Sequence, residues 1–141
     1  MMVNKVTLQI YEVINKAAKT VKKADKIQVL KQNDSFALRT ILQGTYNPNV
    51  VFSLPEGEPP YTENKPQSVP STLLKQARML GYFVESSQMQ QYKKERKFIE
   101  LLEAIHPQDA KIVLQMKDKK PFKGISSALV KEVYPNLMPP D

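Results

Sequence analysis

Residues 47–71, NPNVVFSLPEGEPPYTENKPQSVPS, contain six of the chain's eleven prolines and show no clear apolar periodicity. Each proline lacks a backbone N–H and has a fixed φ, so this segment cannot form a regular helix or a central strand. An aperiodic stretch of this length is typical of a functional or packed loop. Its apolar anchors are Val50, Val51, Phe52, Leu54 and Tyr61. We therefore expect an ordered strap (residues 46–71) across the helices; a disordered linker between two subdomains is the alternative.

On both sides of the strap, apolar residues recur at three- and four-residue steps, the spacing of an amphipathic helix. Before the strap this spacing predicts three helices. Their apolar positions are Val6, Ile10, Val13, Ile14, Ala17 and Val21; Ile27 and Leu30; and Leu38, Ile41 and Leu42. The second helix stops near Asn33. A side-chain oxygen of Asp34 or Ser35 caps the third, which ends at Gly44.

After the strap the same spacing predicts four more helices. Their apolar positions are Leu73, Leu74, Ala77 and Leu80; Phe98, Leu101, Leu102 and Ile105; Ile112, Val113 and Met116; and Leu129, Val130 and Val133. Gly81 ends the first of these helices, and residues 82–84 pack inward after it. Pro107 suits the first position of the third helix, because that position needs no N–H donor.

These patterns predict an all-α fold. The only strand-like run, residues 50–54, is brief, and no set of alternating β-branched strands accompanies it. The 141 residues, 41% hydrophobic and 25% charged, suit one globular domain with its own core. We predict a single compact domain of six to seven helices, in which residues 1–45 and 72–141 supply the helices and the strap connects them.

The sequence also predicts a cytoplasmic protein. No apolar run approaches the roughly 18 residues of a membrane span. The first residues, MMVNKVTLQIYEVINKAAK, have helical spacing rather than the pattern of a signal peptide. We expect no membrane partner.

Several kinds of chemistry have no support in the sequence. The chain has no Cys, which excludes disulfides, thiolate metal sites and a Cys nucleophile. Its single histidine, His106, cannot build a His-rich metal site, and the carboxylates show no metal-cage pattern. No Gly-rich nucleotide-binding motif is present. We therefore expect a protein that is not an enzyme and uses no cofactor, metal or small-molecule substrate.

Positive charge is concentrated in two segments. Residues 16–31 carry six lysines against Asp25, and residues 111–131 carry six lysines against Asp118. Each basic segment is therefore +5 (six minus one), and because the total is +7, the rest of the chain sums to −3. Concentrated basic segments in an otherwise slightly acidic chain indicate a polyanionic partner. The alternative is that the lysines only keep the surface soluble.

The stretch at residues 117–135, KDKKPFKGISSALVKEVYP, is the sharpest candidate site. Gly124 permits close backbone approach, and Ser126 and Ser127 open the last helix with unpaired N–H groups that suit a phosphate. The alternative is a solvated corner, since lysines also complement the dipole at a helix C-terminus. The candidate DNA-binding residues are Lys117, Lys119, Lys120, Lys123, Gly124, Ser126, Ser127 and Lys131 here, with Lys22 and Lys23 from the first basic segment.

The order of elements in FIELLEAIHPQDAKIVLQMKDKKPFKGISSALVKEVYP resembles the end of the N-terminal DNA-binding domain of ATP-dependent DNA ligases, especially the bacteriophage type. KADKIQVLKQNDSFALRTILQGTYNP is similar to that family's paired helices and their Asn-Asp turn, so the resemblance covers about two-thirds of the chain. It implies an all-helical domain that grips the backbone of duplex DNA around a nick, across the minor groove. The residues it would turn toward phosphates are Lys120, Lys123, Gly124, Ser126 and Ser127.

The chain also departs from the ligase pattern. None of its five Asp residues is followed by Gly, so the Lys-x-Asp-Gly nucleotidyltransferase signature is missing. Lysines replace the family's usual Arg in the basic turn, which removes its bidentate phosphate contact. The strap and SVPSTLLKQARMLGYF have no counterpart in the ligase domain. We expect a free-standing domain of this type without catalysis, a phage accessory protein.

Two functions follow from these observations. The first is a sequence-nonspecific accessory protein of phage DNA replication, recombination or repair that binds duplex or nicked DNA. The second is a protein-interaction module of the same fold that binds or inhibits a host or replisome protein through exposed apolar strap residues. Those residues are Val51, Phe52, Leu54 and Tyr61. A common face for Lys22, Lys23, Lys120 and Lys123 would favour the first function, and scattered positions would favour the second.

Overall fold

The computed structural model describes residues 7–65 and 69–140, and these fold into seven α-helices. They are α1 (Ile10–Lys19), α2 (Lys23–Gln32), α3 (Phe36–Tyr46), α4 (Leu73–Gln76), α5 (Gln91–Ala104), α6 (Pro107–Lys117) and α7 (Ser127–Val133). Short 3-10 helices follow α4 (Ala77–Phe83) and α7 (Pro135–Leu137). Within the described ranges the only β-type pairing is one antiparallel bridge between Phe52 and Val84. The predicted all-α fold is confirmed.

The helix α3 lies at the centre of the fold and packs against α4, α6 and α7. Its predicted apolar positions are fully buried, and so are most of those predicted for the other helices. They form one continuous core. None of the helices in the described part of the chain is long and apolar enough to cross a membrane.

A serine begins α3, and a glycine near its C-terminal end allows close packing. Ser35 Oγ accepts a hydrogen bond of 3.0 Å from the N–H of Leu38, which makes Ser35 the cap. The predicted stop at Gly44 is wrong, because α3 continues to Tyr46. A Cβ at Gly44 would lie 2.8 Å from the sulfur of Met116. Gly44 therefore serves the close packing of α3 against α6, rather than ending the helix.

The first apolar stripe is shorter than predicted. Thr20 turns to an extended conformation and its hydroxyl donates to the carbonyl of Lys16 at 2.8 Å, so α1 stops at Lys19. Val21 consequently lies in the connection to α2 and is 91% exposed, which contradicts its predicted place in the stripe. The predicted position Val6 lies outside the described residues.

The region after α4 also differs from the prediction. The chain tightens into a 3-10 helix that passes through Gly81 and ends at Phe83. With three residues per turn, such a helix places positions three apart on the same side. Leu80 and Phe83 therefore enter the core together, whereas Tyr82 faces outward and is 45% exposed. The expectation that Tyr82 packs inward is wrong.

The described part of the strap is ordered and packs on the helices. The N–H of Ser53 donates to the carbonyl of Phe83 at 2.9 Å, and the N–H of Thr62 donates to the carboxylate of Glu103 at 2.7 Å. The strap side chains packed against the core are Phe52, Leu54 and Tyr61. The strap is thus part of the domain, not a linker between two subdomains.

Candidate nucleic-acid interface

The two basic segments meet at one corner of the molecule. The ammonium group of Lys26, in α2, donates a hydrogen bond to the carbonyl oxygen of Gly124, 98 residues away in the sequence. Gly124 has a φ of +79°, and a Cβ at this position would lie 2.8 Å from the carbonyl oxygen of Ala18. The close backbone approach predicted at Gly124 is therefore made by α1 of the same molecule. We call this junction of the α1–α2 connection with the 118–126 turn the basic corner.

An open cleft of about 470 Å³ lies at the basic corner. Lys23 and Lys26 line it from one side, and Gly124 and Ser126 line it from the other. Lys23 Nζ also forms an ion pair of 2.6 Å with Glu132 of α7, and both side chains are about half exposed or more. Such exposed pairs contribute little to stability and are screened by salt. The cleft is thus lined by lysines that an incoming anion could reach.

The exposed predicted lysines come from both basic segments. Lys22, Lys23, Lys120 and Lys123 are all exposed, whereas Lys131 is half-buried on α7. Lys22 precedes Lys23, which lines the cleft, and Lys123 precedes Gly124. The structure therefore places Lys22 and Lys23 of the first segment, and Lys120 and Lys123 of the second, in the two stretches that meet at the basic corner.

The serines of the predicted turn have structural roles as well. Ser126 Oγ accepts a hydrogen bond of 3.0 Å from the N–H of Leu129 and so caps α7. Ser127 is the first residue of α7 and is exposed. The Ser126 hydroxyl oxygen is thus already engaged within the fold, while Ser127 remains on the surface.

Lys117 points into the molecule. Its side chain is 2% exposed, and its ammonium group donates to the carbonyl of Pro55 at 2.7 Å and to the carboxylate of Asp118 at 2.5 Å. Burial of this charge is compensated by the adjacent carboxylate and by the carbonyl. Lys117 therefore anchors the strap and does not reach a ligand at the basic corner, contrary to the sequence-based expectation.

Lys119 is also committed to the fold. Its backbone is left-handed, with a φ of +58°. Its N–H donates to Met116 and the N–H of Lys120 donates to Gln115, the hydrogen bonds of a Schellman motif. Its ammonium group donates to three carbonyls at 2.5–2.7 Å, those of Gly44, Asn47 and Val50. The side chain thus closes the C-terminal end of α3, where a cation is favourable, and burial lowers its pKa.

Lys26 was not among the predicted site residues, although it forms the contact that joins the segments. It follows Lys22 by four residues, which places both on one face of a helix. The four-residue spacing of Lys22 and Lys26 in KKADK is the sequence feature from which the position of Lys26 at this site could have been predicted. Asp25 and Glu132 are the exposed acidic residues on the helices that frame the corner.

The apolar residues predicted for protein binding are mostly unavailable. Phe52, Leu54 and Tyr61 are half-buried against the core, and the Lys119 ammonium lies 5.9 Å from the centre of the Phe52 ring. Only Val51, 47% exposed, is presented to solvent. The strap therefore does not offer these side chains for insertion into a partner groove.

A family model matches residues 13–123, a span that begins within α1, includes the strap and ends just before Gly124. Its description is a family of unknown function, DUF6433. The chain belongs to this family. No curated protein matches the chain. Among the residues that the structure describes, no three His, Asp or Glu side chains come together in a group that could hold a metal ion.

Proposed function

We propose that this DUF6433 protein binds duplex DNA through the phosphate backbone, without sequence preference and without catalysis. The observation that supports this most is the Lys26–Gly124 contact, since it joins two segments of +5 each at one corner. Duplex DNA carries about one negative charge per 1.7 Å of its axis, so a cluster of cations at one corner meets several phosphates at once.

The cations proposed to contact DNA are Lys22, Lys23, Lys120 and Lys123. All four are exposed, so their ammonium groups can approach phosphates at little cost in desolvation. Lysine acts on a phosphate as a mobile point charge, without the fixed geometry of a guanidinium. Contacts of this kind position a protein on the duplex and carry no sequence information.

The resemblance to the DNA-binding domain of phage-type DNA ligases supports an accessory role in phage DNA replication, recombination or repair. The missing Lys-x-Asp-Gly signature supports a role without nick sealing. In this proposal the protein would grip duplex or nicked DNA and leave the chemistry to another enzyme.

The experiment that tests this function is an electrophoretic titration with intact duplex, nicked duplex and single-stranded DNA at two salt concentrations. We expect binding to duplex and nicked DNA that weakens steeply as salt rises, and that changes little with sequence. Absence of binding to all three at the lower salt would refute the proposal. The protein-interaction module, which binds or inhibits a host or replisome protein, would then be the better hypothesis.

A further inference from the structure

The strap and α5 enclose a groove away from the basic corner. Its volume is about 380 Å³, and its apolar walls include Leu54, Pro59, Phe98 and Ile99. Phe98 is buried and belongs to the core, so the groove borders the core directly. A groove of this kind accepts an apolar side chain.

The rim of the groove is acidic. Glu56, Glu58 and Glu95 line it, and in the described part of the chain none of these carboxylates forms an ion pair. The one cation in the lining, Lys117, is already matched by Asp118. The groove therefore presents an apolar interior with uncompensated negative charge around it, which favours an apolar side chain flanked by cations.

That combination is present on the surface of the same protein. Val21 is 91% exposed, more than any other large hydrophobic residue that the structure describes, and lies between Lys19 and Lys22 in the connection of α1 to α2. Both lysines are exposed. The connection thus presents one apolar side chain with positive charge on each side, the complement of the groove.

We propose that the groove binds residues 19–22 of a second copy of this chain, which we call the Val21 segment. The charge distribution supports this occupant. The two basic segments carry +5 each, whereas the rest of the sequence, which includes the rim of the groove, sums to −3. The groove is built by the strap and α5, and the Val21 segment by the α1–α2 connection, so the two surfaces differ. The contact is therefore heterologous, and each added copy leaves one groove and one Val21 segment free.

The test uses sedimentation velocity on nuclease-treated protein over a range of concentrations at low salt. Wild-type protein is expected to grow from monomer to dimer and higher species as concentration rises. The segment variant Lys19→Glu/Lys22→Glu and the groove variant Glu56→Lys/Glu58→Lys are each expected to stay monomeric. Val21→Ser should weaken association without any change in charge. Circular dichroism and melting temperature confirm that each variant is folded.

Mixing the two variants separates this proposal from other modes of association. The groove variant keeps an intact Val21 segment and the segment variant keeps an intact groove, so a 1:1 mixture should form dimers that grow no further. The matched control Lys75→Glu/Arg78→Glu makes the same charge change on exposed side chains elsewhere and should associate like wild type. No nucleic acid is present, so the result is independent of the DNA proposal.

Three outcomes would overturn the inference. If wild-type protein stays monomeric at every concentration, the groove does not bind a second copy, and a different protein would be the better candidate for it. Variants that associate like wild type would show that other surfaces are used. A mixture that fails to form dimers, although both variants are folded, would show that the groove and the Val21 segment do not bind each other.

Discussion

The carboxylate of Asp109 accepts a hydrogen bond of 2.9 Å from the backbone N–H of Tyr11, which joins the first turn of α6 to the first turn of α1. One negative charge thus faces two helix N-termini, where it is favourable. Asp109 is nevertheless 1% exposed, and its Oδ2 has no hydrogen-bond partner within the described residues. Burial raises its pKa above the ordinary value of 3.8, against the opposing effect of the Tyr11 N–H group and of His106.

Because burial outweighs the favourable helix N-termini and the folded-state pKa is raised, ionisation of Asp109 should lower the stability of the folded protein. Because the folded state binds the proton more tightly, the free energy of unfolding falls as pH rises from 3.8 through the folded pKa. Asp109→Asn keeps an acceptor for Tyr11 and carries no charge. Its stability relative to wild type should therefore increase across that pH range, in urea unfolding at a series of pH values between about 4 and 7. Parallel stability curves for the two proteins would contradict the prediction.

Lys119 combines an unfavourable backbone with a well-bound ammonium group, and two substitutions separate the two effects. Lys119→Ala should destabilise the protein by on the order of 3 kcal/mol, because it leaves three carbonyls without their charged donor. Lys119→Gly loses the same hydrogen bonds but adopts φ of +58° without strain, so it should be more stable than the Ala variant by about 1 kcal/mol. Equal stability of the two variants in guanidinium unfolding would show that the left-handed conformation carries no cost.

The sequence predicted the parts of the fold that depend on local spacing. The apolar stripe of α3 was found because Leu38, Ile41 and Leu42 repeat at helical steps within a few residues. Val21 was misplaced because the same spacing continues past Thr20, and nothing in the pattern shows where the helix ends. Only the bonding of the Thr20 side chain and the change of chain direction place Val21 in solvent.

The candidate site was predicted in part for a similar reason. A lysine count identifies charge, but whether an ammonium group is available depends on acceptors that lie far away in the sequence. The carbonyls that bind Lys117 and Lys119 belong to residues at least 62 positions earlier. Lys120 and Lys123 lie in the same turn and are exposed. Within the described structure their ammonium groups have no such set of carbonyl acceptors.

Gly124 should be required for the basic corner to form. Gly124→Ala is strained by the φ of +79° and would place a Cβ 2.8 Å from the Ala18 carbonyl, so it should lower the unfolding free energy by about 2 kcal/mol or more. Gly81→Ala is the matched control, because a Cβ there meets nothing within 4 Å and the residue has no positive φ. Thermal or urea unfolding measures both. Similar stability of the two variants would mean that the turn does not pack against α1 as described.

The DNA proposal predicts how affinity depends on salt. Four phosphate contacts, from Lys22, Lys23, Lys120 and Lys123, would give a slope of log K against log salt near −3.6, since each contributes about −0.9 on duplex DNA. Lys120→Ala/Lys123→Ala should therefore flatten the slope by about 1.8, equally for unrelated sequences. Fluorescence anisotropy with two duplexes over a salt series measures both quantities.

The stability of this double variant decides how its binding is interpreted. Both side chains are exposed at the surface, so the melting temperature should stay close to that of wild type. Lys75→Ala/Lys93→Ala removes the same charge from exposed positions on α4 and α5, away from the basic corner, and should leave the slope near its wild-type value. If the two double variants change affinity and slope equally, DNA responds to net charge alone. The 118–126 turn would then be a solvated corner between two helices. A direct contact with DNA would make affinity depend on the position of the removed charge and not only on its amount.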